Sequence, residues 1–144
     1  MKQTRREFMK KCGLMSTGFV YAGGFLMFES CAGVSYIPYN EENDQLVIKK
    51  SHFIKEKYGL IGYNNLPAPI YVTKLNDNNY SAVLLECTHK RCEVSPAGDI
   101  LICPCHGSEY SNTGKVLQPP ADKDLYSFGI KTDSENIYIN VRNN

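Results

Sequence analysis

Two short stretches of this 144-residue chain, CTHKRC beginning at Cys87 and CPCHGS beginning at Cys103, are rich in side chains that bind metals. Cys87 and His89 are spaced as C-x-H, and Cys103 and His106 are spaced as C-x-x-H. Each stretch offers one thiolate and one imidazole, so the two together supply the four ligands that a tetrahedral ion or a two-iron cluster requires. The residues therefore indicate a metal centre, of either zinc or iron and sulfur.

Each stretch carries one further cysteine, Cys92 in the first and Cys105 in the second. In an oxidising compartment, a disulfide between these two residues would hold the two loops together. Zinc sites rarely combine such ligand spacings with a second, interleaved cysteine pair, and disulfides alone would leave both histidines unexplained. An all-cysteine ferredoxin is excluded because its cysteine spacings are absent. The pattern favours an iron–sulfur centre with mixed ligands.

At these residues the chain resembles the Rieske [2Fe-2S] proteins, in the subclass found in quinol-oxidising cytochrome complexes and their relatives. The resemblance implies one [2Fe-2S] cluster per chain and a bridge between Cys92 and Cys105. The fold that it implies is a stack of small antiparallel sheets with the two cluster-binding loops at one tip. By this resemblance, Cys87 and Cys103 bind one iron. The Nδ1 atoms of His89 and His106 bind the other iron.

The resemblance extends to residues around the ligands. Ser108 and Tyr110 lie where high-potential members place hydroxyls that bond a bridging sulfide and the Cys87 sulfur, and such donors raise the potential. The segment QPPA at residues 118 to 121 resembles the family's proline loop, which covers the cluster. The chain departs from quinol-oxidising members in the first stretch, where Leu and Gly are usual and KR stands at residues 90 and 91. Residues 90 and 91 would form a charged collar beside the histidines. Such a collar suits an acidic protein partner better than a quinone.

Most of the chain after residue 45 has the composition of an all-β domain. Its strand-like runs are rich in β-branched and aromatic residues, turn residues separate them, and none has a long helical period. An antiparallel all-β domain over residues 46 to 144 is therefore predicted. The predicted strands are residues 46 to 54, 70 to 75, 80 to 86, 100 to 102, 126 to 130 and 137 to 141.

Residues 1 to 31 are predicted to form a signal segment or an apolar membrane-anchoring helix. The head TRREFMK, with Arg5 and Arg6, resembles the twin-arginine export signal, which implies export after folding and cofactor insertion. The following residues 12 to 28 carry no charge and are at the short limit for a membrane span, about 17 residues. The segment FESCA around Cys31 resembles a degenerate lipoprotein box, so Cys31 is a candidate for lipidation, and residues 32 to 45 are predicted to be a tether.

The charge distribution argues against a nucleic-acid partner. Residues 1 to 31 hold five of the sixteen basic and two of the fifteen acidic residues, which leaves eleven basic and thirteen acidic residues for the rest. The domain thus has no excess of the basic residues that a nucleic-acid surface needs. The positive charge is concentrated in the leader, where it is typical of an export signal.

Together these features predict a membrane-tethered one-electron carrier of a quinol and cytochrome respiratory chain, on the periplasmic side of a bacterial cell envelope. Its partners would be the membrane, reached through the N-terminal segment or a lipid, and a redox protein such as a cytochrome. The alternative is the small Rieske subunit of an exported oxidoreductase resembling arsenite oxidase. The sequence contains no recognisable acid–base pair or nucleophile, so substrate turnover is expected to belong to a complex with a larger subunit.

Overall fold

A computed structural model describes residues 36 to 142, and these form three small antiparallel sheets with one short 3₁₀ helix. The all-β prediction is confirmed. Among the described residues, no helix is long and apolar enough to span a bilayer. The elements in chain order are β1 Asn40–Glu42, β2 Gln45–Lys49, the 3₁₀ helix Lys50–Ile54, β3 Tyr58–Ile61, β4 Ile70–Lys74, β5 Tyr80–Leu84, β6 Ser95–Ala97, β7 Ile100–Ile102, β8 Glu109–Ser111, β9 Val116–Gln118, β10 Ile130–Thr132 and β11 Asn136–Asn140.

The first sheet, in the order β1-β2-β11-β10, joins the two ends of the described chain. Its central strands β2 and β11 alternate buried and more exposed residues, as expected of strands that bury one face. Leu46 lies opposite Ile139 and Ile48 opposite Ile137, and all four side chains are buried. These cross-strand apolar pairs fix the register, because a slip by one residue would turn the apolar side chains to solvent.

The second sheet, β3-β4-β5, contributes much of the hydrophobic core. Four consecutive residues of β4, from Ile70 to Thr73, are buried, so both faces of this strand are covered. The third sheet, in the order β6-β7-β8-β9, carries the metal-binding stretches in its connections. One stretch lies between β5 and β6, and the other lies between β7 and β8. The sheets thus hold both stretches on short segments anchored at each end.

Two of the predicted strands differ from the structure by more than two residues at one end. The run from 46 to 54 is a strand only as far as Lys49, and residues 50 to 54 form the 3₁₀ helix that inserts Phe53 into the core. In the run from 126 to 130, only one isolated bridge forms, between Ser127 and Val83, and β10 begins at Ile130. The short strands β1, β3, β6, β8 and β9 were not predicted.

Residues 36 to 45, which the sequence places in a tether, contact the folded domain. The Ile37 N–H donates to the Leu60 carbonyl at 2.7 Å, and the Ile37 side chain is buried in the core. Gly59 permits this contact, since a Cβ there would lie 2.6 Å from Cγ1 of Ile37. Of the other predicted features, Arg5, Arg6 and Cys31 lie outside the described residues.

Candidate metal centre

The first metal-binding loop follows β5 and is closed by backbone hydrogen bonds at Cys87. The Cys87 N–H donates to the Cys92 carbonyl, and the Arg91 N–H donates to the Cys87 carbonyl, each at 2.8 Å. Closing this turn places Arg91 in the left-handed region with φ of 59°. An L side chain pays about 1–2 kcal/mol for this conformation. The loop therefore keeps a tight turn at a conformational cost.

The second loop joins β7 to β8 and repeats the same pattern. The Cys103 N–H donates to the Ser108 carbonyl at 2.8 Å, and the Gly107 N–H donates to the Cys103 carbonyl at 2.9 Å. Gly107 occupies the position equivalent to Arg91 and has φ of 78°. Both loops thus begin at a free cysteine and turn back through a residue with positive φ.

The loop conformation gives a prediction for Gly107. No atom lies within 4 Å of a Cβ added at this position, so Gly107→Ala would be opposed only by its positive φ. We expect this variant to lower the free energy of unfolding by about 1 kcal/mol, measured by chemical denaturation. Gly129→Ala is the matched control, because its Cβ also meets no atom within 4 Å and its φ is not positive. Equal effects of the two substitutions would contradict a conformational role for Gly107.

A disulfide joins the two loops, as predicted. Cys92 and Cys105 are bonded with their Cα atoms 6.5 Å apart. The sulfur of Cys103 lies within 4.8 Å of both disulfide sulfurs. This trio is not itself a metal site, because two of its three sulfurs are consumed in the disulfide and cannot act as thiolates. The bridge instead holds the loop of Cys103 beside the loop of Cys87.

The thiols of Cys87 and Cys103 are both buried and form no disulfide with any described residue. Burial raises the pKa of each thiol, because a thiolate is poorly solvated inside the protein. At Cys87, hydrogen bonds from the Tyr110 hydroxyl and the His89 N–H outweigh burial and lower the pKa. At Cys103, burial and the hydrogen bond that it shares with Cys87 leave the pKa raised. The Tyr110 hydroxyl and the backbone of the first loop therefore favour a thiolate at Cys87.

The two histidines of the stretches lie side by side. The ring centroids of His89 and His106 are 5.0 Å apart, and the ring planes are nearly perpendicular, at 81°. His106 is exposed, whereas His89 is half-buried. The Nδ1 atom of His89 is fully buried and has no hydrogen-bond partner in residues 36 to 142. An unpaired buried polar atom costs about 1–3 kcal/mol, so this lone pair calls for a ligand.

Comparison with known proteins identifies the family. Residues 44–129 match the family model of the Rieske [2Fe-2S] domain. This chain belongs to the Rieske [2Fe-2S] family. The Rieske domain is 36% identical over 104 residues to cytochrome b6-f complex iron-sulfur subunit 1 of Nostoc sp., a match that covers 67% of this chain and 56% of the relative. The chain therefore spans about half the length of this curated relative.

Two further similarities have the same character. A 55-residue stretch is 38% identical to the cytochrome b6-f complex iron-sulfur subunit of Prochlorococcus marinus and covers 37% of this chain and 31% of the relative. The crystal structure of the cyanobacterial plasma membrane Rieske protein from Synechocystis superimposes with a TM-score of 0.55 and 30% identity. That match covers 63% of this chain and 93% of the solved chain. These matches extend the likeness from sequence to fold.

The Rieske domain binds one [2Fe-2S] cluster, and the donor set of this chain fits that group. Two buried thiols contact each other, and two imidazoles contact each other. The buried Nδ1 atom of His89 lacks the partner that an iron atom would provide. Rieske clusters take two thiolates and two imidazoles, so the chemistry of the donors matches the cofactor.

Tyr110 lies close to the Cys87 thiol, and the Ser108 backbone is hydrogen-bonded to the backbone of Cys103. The Tyr110 hydroxyl is 3.3 Å from the Cys87 sulfur, and its side chain is buried. The buried Ser108 Oγ accepts a hydrogen bond from the Ala121 N–H at 3.0 Å. This is the only hydrogen bond of that hydroxyl among the described residues, so the Ser108 proton remains available to another acceptor.

The proline loop is tied to the second metal-binding loop. Gln118 Nε2 donates to the Gly107 carbonyl at 3.1 Å, and the Ala121 N–H donates to Ser108. The Pro119–Pro120 peptide between these contacts is cis. The segment thus lies against the centre, as its resemblance to a proline loop implied.

The two charged residues of the first stretch are exposed, but only one of them has an ionic partner. Arg91 Nε lies 3.7 Å from Glu86 Oε1, whereas Lys90 makes no salt bridge with any described residue. Glu86 therefore offsets part of the positive charge of the collar. At exposed sites such a pair is worth about 1 kcal/mol or less.

Thr88 is a contact residue that sequence reasoning missed. Its hydroxyl lies 3.2 Å from the Tyr110 hydroxyl and donates to the Lys123 carbonyl at 2.6 Å. Both partners are distant in sequence, so no local pattern indicates these contacts. The one available signal was the position of Thr88 between the first cysteine and the first histidine.

Proposed function

We propose that this Rieske protein is a membrane-tethered one-electron carrier. The ligands of its cluster would be Cys87 and Cys103 on one iron and His89 and His106 on the other. The observation that carries this assignment is the unpartnered, buried Nδ1 of His89, which lies on a loop joined by a disulfide to the loop of His106. His52 also has a buried nitrogen without a hydrogen-bond partner, but among the described histidines only His89 combines such a nitrogen with a place in a loop that carries a free thiol.

The bound cluster supplies a one-electron site with a potential of about −150 to +300 mV, the range of the class. In the proposed arrangement, two neutral imidazoles replace two anionic thiolates, which raises the potential. His106 is exposed, so its Nε2 atom can exchange a proton with solvent or with a docked partner. A cluster held here would supply the one-electron chemistry, and His106 would be the ligand most open to solvent or to a docked partner.

Tyr110→Phe tests the contribution of the hydroxyl beside Cys87. The hydroxyl donates toward a sulfur that becomes more negative on reduction, so its loss should lower the midpoint potential. One hydrogen bond worth ~1 kcal/mol corresponds to a shift of about 40 mV for one electron. Redox titration followed by EPR measures this shift. Tyr126→Phe is the matched control, because Tyr126 is exposed and contacts Phe128 rather than the thiols. An unchanged potential in Tyr110→Phe would refute the role of this hydroxyl.

A place in a chain of quinols and cytochromes is supported by the relatives, which are iron-sulfur subunits of cytochrome b6-f complexes. We further propose that residues 1 to 31 direct export through Arg5 and Arg6 and attach the domain to the membrane, with Cys31 as the candidate lipidation site. The exposed Lys90 favours an acidic protein as the direct partner over a quinone. The domain would then face the periplasm.

The test is EPR spectroscopy of the full chain in bacterial membranes after reduction with ascorbate. A rhombic EPR signal in the membrane fraction is expected of a mixed-ligand centre with a high potential. Solubilisation and affinity capture of the full chain should then recover cytochrome subunits. A colourless protein containing zinc would refute the carrier, and a signal confined to soluble fractions would refute the tether.

A further inference from the structure

The Tyr110 hydroxyl has one proton and two acceptors within reach. Its oxygen lies 3.3 Å from the Cys87 sulfur and 3.2 Å from the Thr88 hydroxyl oxygen. The Thr88 N–H also donates to this oxygen, at 3.3 Å. The phenol oxygen therefore already accepts a hydrogen bond, and its single proton points to one of the two acceptors at a time.

The direction of the contact between Thr88 and Tyr110 follows from a third group. The Thr88 hydroxyl lies 2.6 Å from the backbone carbonyl of Lys123. A carbonyl oxygen only accepts hydrogen bonds, so the one proton of Thr88 is committed to Lys123. Toward Tyr110, Thr88 can therefore act only as an acceptor. Thr88 and Cys87 compete for the same proton.

We propose that Thr88 is a positioning residue that holds the redox potential down by drawing the Tyr110 proton away from Cys87. This inference rests on the proposed function, in which Cys87 is a ligand of the cluster. The Cys87 sulfur is more negative in the reduced state and attracts the proton more strongly there, because hydrogen bonds to charged acceptors are the stronger ones. In the oxidised state, Thr88 offers the proton an alternative acceptor. Because Thr88 accepts this proton mainly in the oxidised state, it stabilises that state and so lowers the potential.

The test is a double-mutant cycle read by the midpoint potential. Thr88→Val keeps the branched shape but removes the competing oxygen, so the proton remains directed at Cys87. The equilibrium constant for reduction should rise roughly threefold, which corresponds to about 30 mV at 59 mV per tenfold change. In a Tyr110→Phe background there is no proton to redirect, so Thr88→Val should leave the potential unchanged. Thr88→Ser retains the hydroxyl and should keep the wild-type potential.

The cycle separates this role from a structural one. Loss of the hydrogen bond to Lys123 affects both backgrounds alike, so equal shifts of the potential in both backgrounds would overturn the proposal. A lower potential caused by Thr88→Val in the wild-type background would overturn it as well. If Thr88→Val does not assemble, Thr88→Ala in the same two backgrounds makes the same comparison. A wild-type protein without the expected EPR signal would refute the proposed function itself. A normal signal with parallel shifts would refute only the inference about Thr88.

Discussion

Replacing His106 with alanine is expected to abolish cluster binding while leaving the fold nearly unchanged. The His106 side chain is exposed and makes no hydrogen bond within the described residues, so its removal should change the free energy of unfolding of the cluster-free domain by at most about 0.5 kcal/mol. A cluster ligand, by contrast, cannot be omitted without loss of a coordination bond. The purified variant should lack bound iron, visible absorbance and the EPR signal of the reduced wild-type protein.

The control for this experiment is the third histidine of the chain. His52 lies on the 3₁₀ helix, where its Nε2 atom is buried without a hydrogen-bond partner among residues 36 to 142. Its ring packs against Phe53 in an edge arrangement, and a Cβ at Gly59 would lie 2.7 Å from its Nε2 atom. His52→Ala should therefore alter packing while the cluster remains. Retention of two iron atoms per chain in His106→Ala would contradict the proposed ligand set.

Among the strands that the sequence predicts, β4, β5 and β11 have enough buried residues to form a pattern. β4 and β5 have runs of apolar residues, and β11 alternates. The three-residue strands β6, β8 and β9 bury at most one side chain each, so no period is visible in them. Their positions are set by pairing with neighbours such as β7, which is a non-local interaction.

The spacing of the motif residues predicts which side chains of the site converge. It predicts neither the backbone conformation nor the contacts between residues that are distant in sequence. The two stretches and the pairing of Cys92 with Cys105 follow from the family motifs. The φ of 59° at Arg91 does not follow from the sequence, because long side chains rarely adopt that conformation. The contact of Thr88 with the Lys123 carbonyl spans 35 residues and depends on how the proline loop folds back onto the first loop. Such contacts follow from the tertiary structure alone.

Removing the disulfide between Cys92 and Cys105 should also have a large effect, on the stability of the domain. Cys92 and Cys105 are separated by 13 residues, and closing a loop of about 15 residues is worth roughly 3 kcal/mol in the chain-entropy model. Cys105 is exposed and Cys92 is half-buried, so little packing is lost with their side chains. The double variant Cys92→Ala/Cys105→Ala is expected to lose about 2–4 kcal/mol in free energy of unfolding, measured by denaturation in urea.

Comparison of the single and double variants shows whether the loss of stability comes from the disulfide bond itself. Either single variant removes the same disulfide, so Cys92→Ala, Cys105→Ala and the double variant should be destabilised to nearly the same extent. Losses that add would instead assign the effect to packing of the separate side chains. The bridge also holds Cys103 beside it, since the three sulfurs lie within 4.8 Å of one another. All three variants should therefore release the cluster faster than the wild type, as measured by the decay of visible absorbance. The two loops are then held together only by the cluster and by contacts of the sheets that carry them.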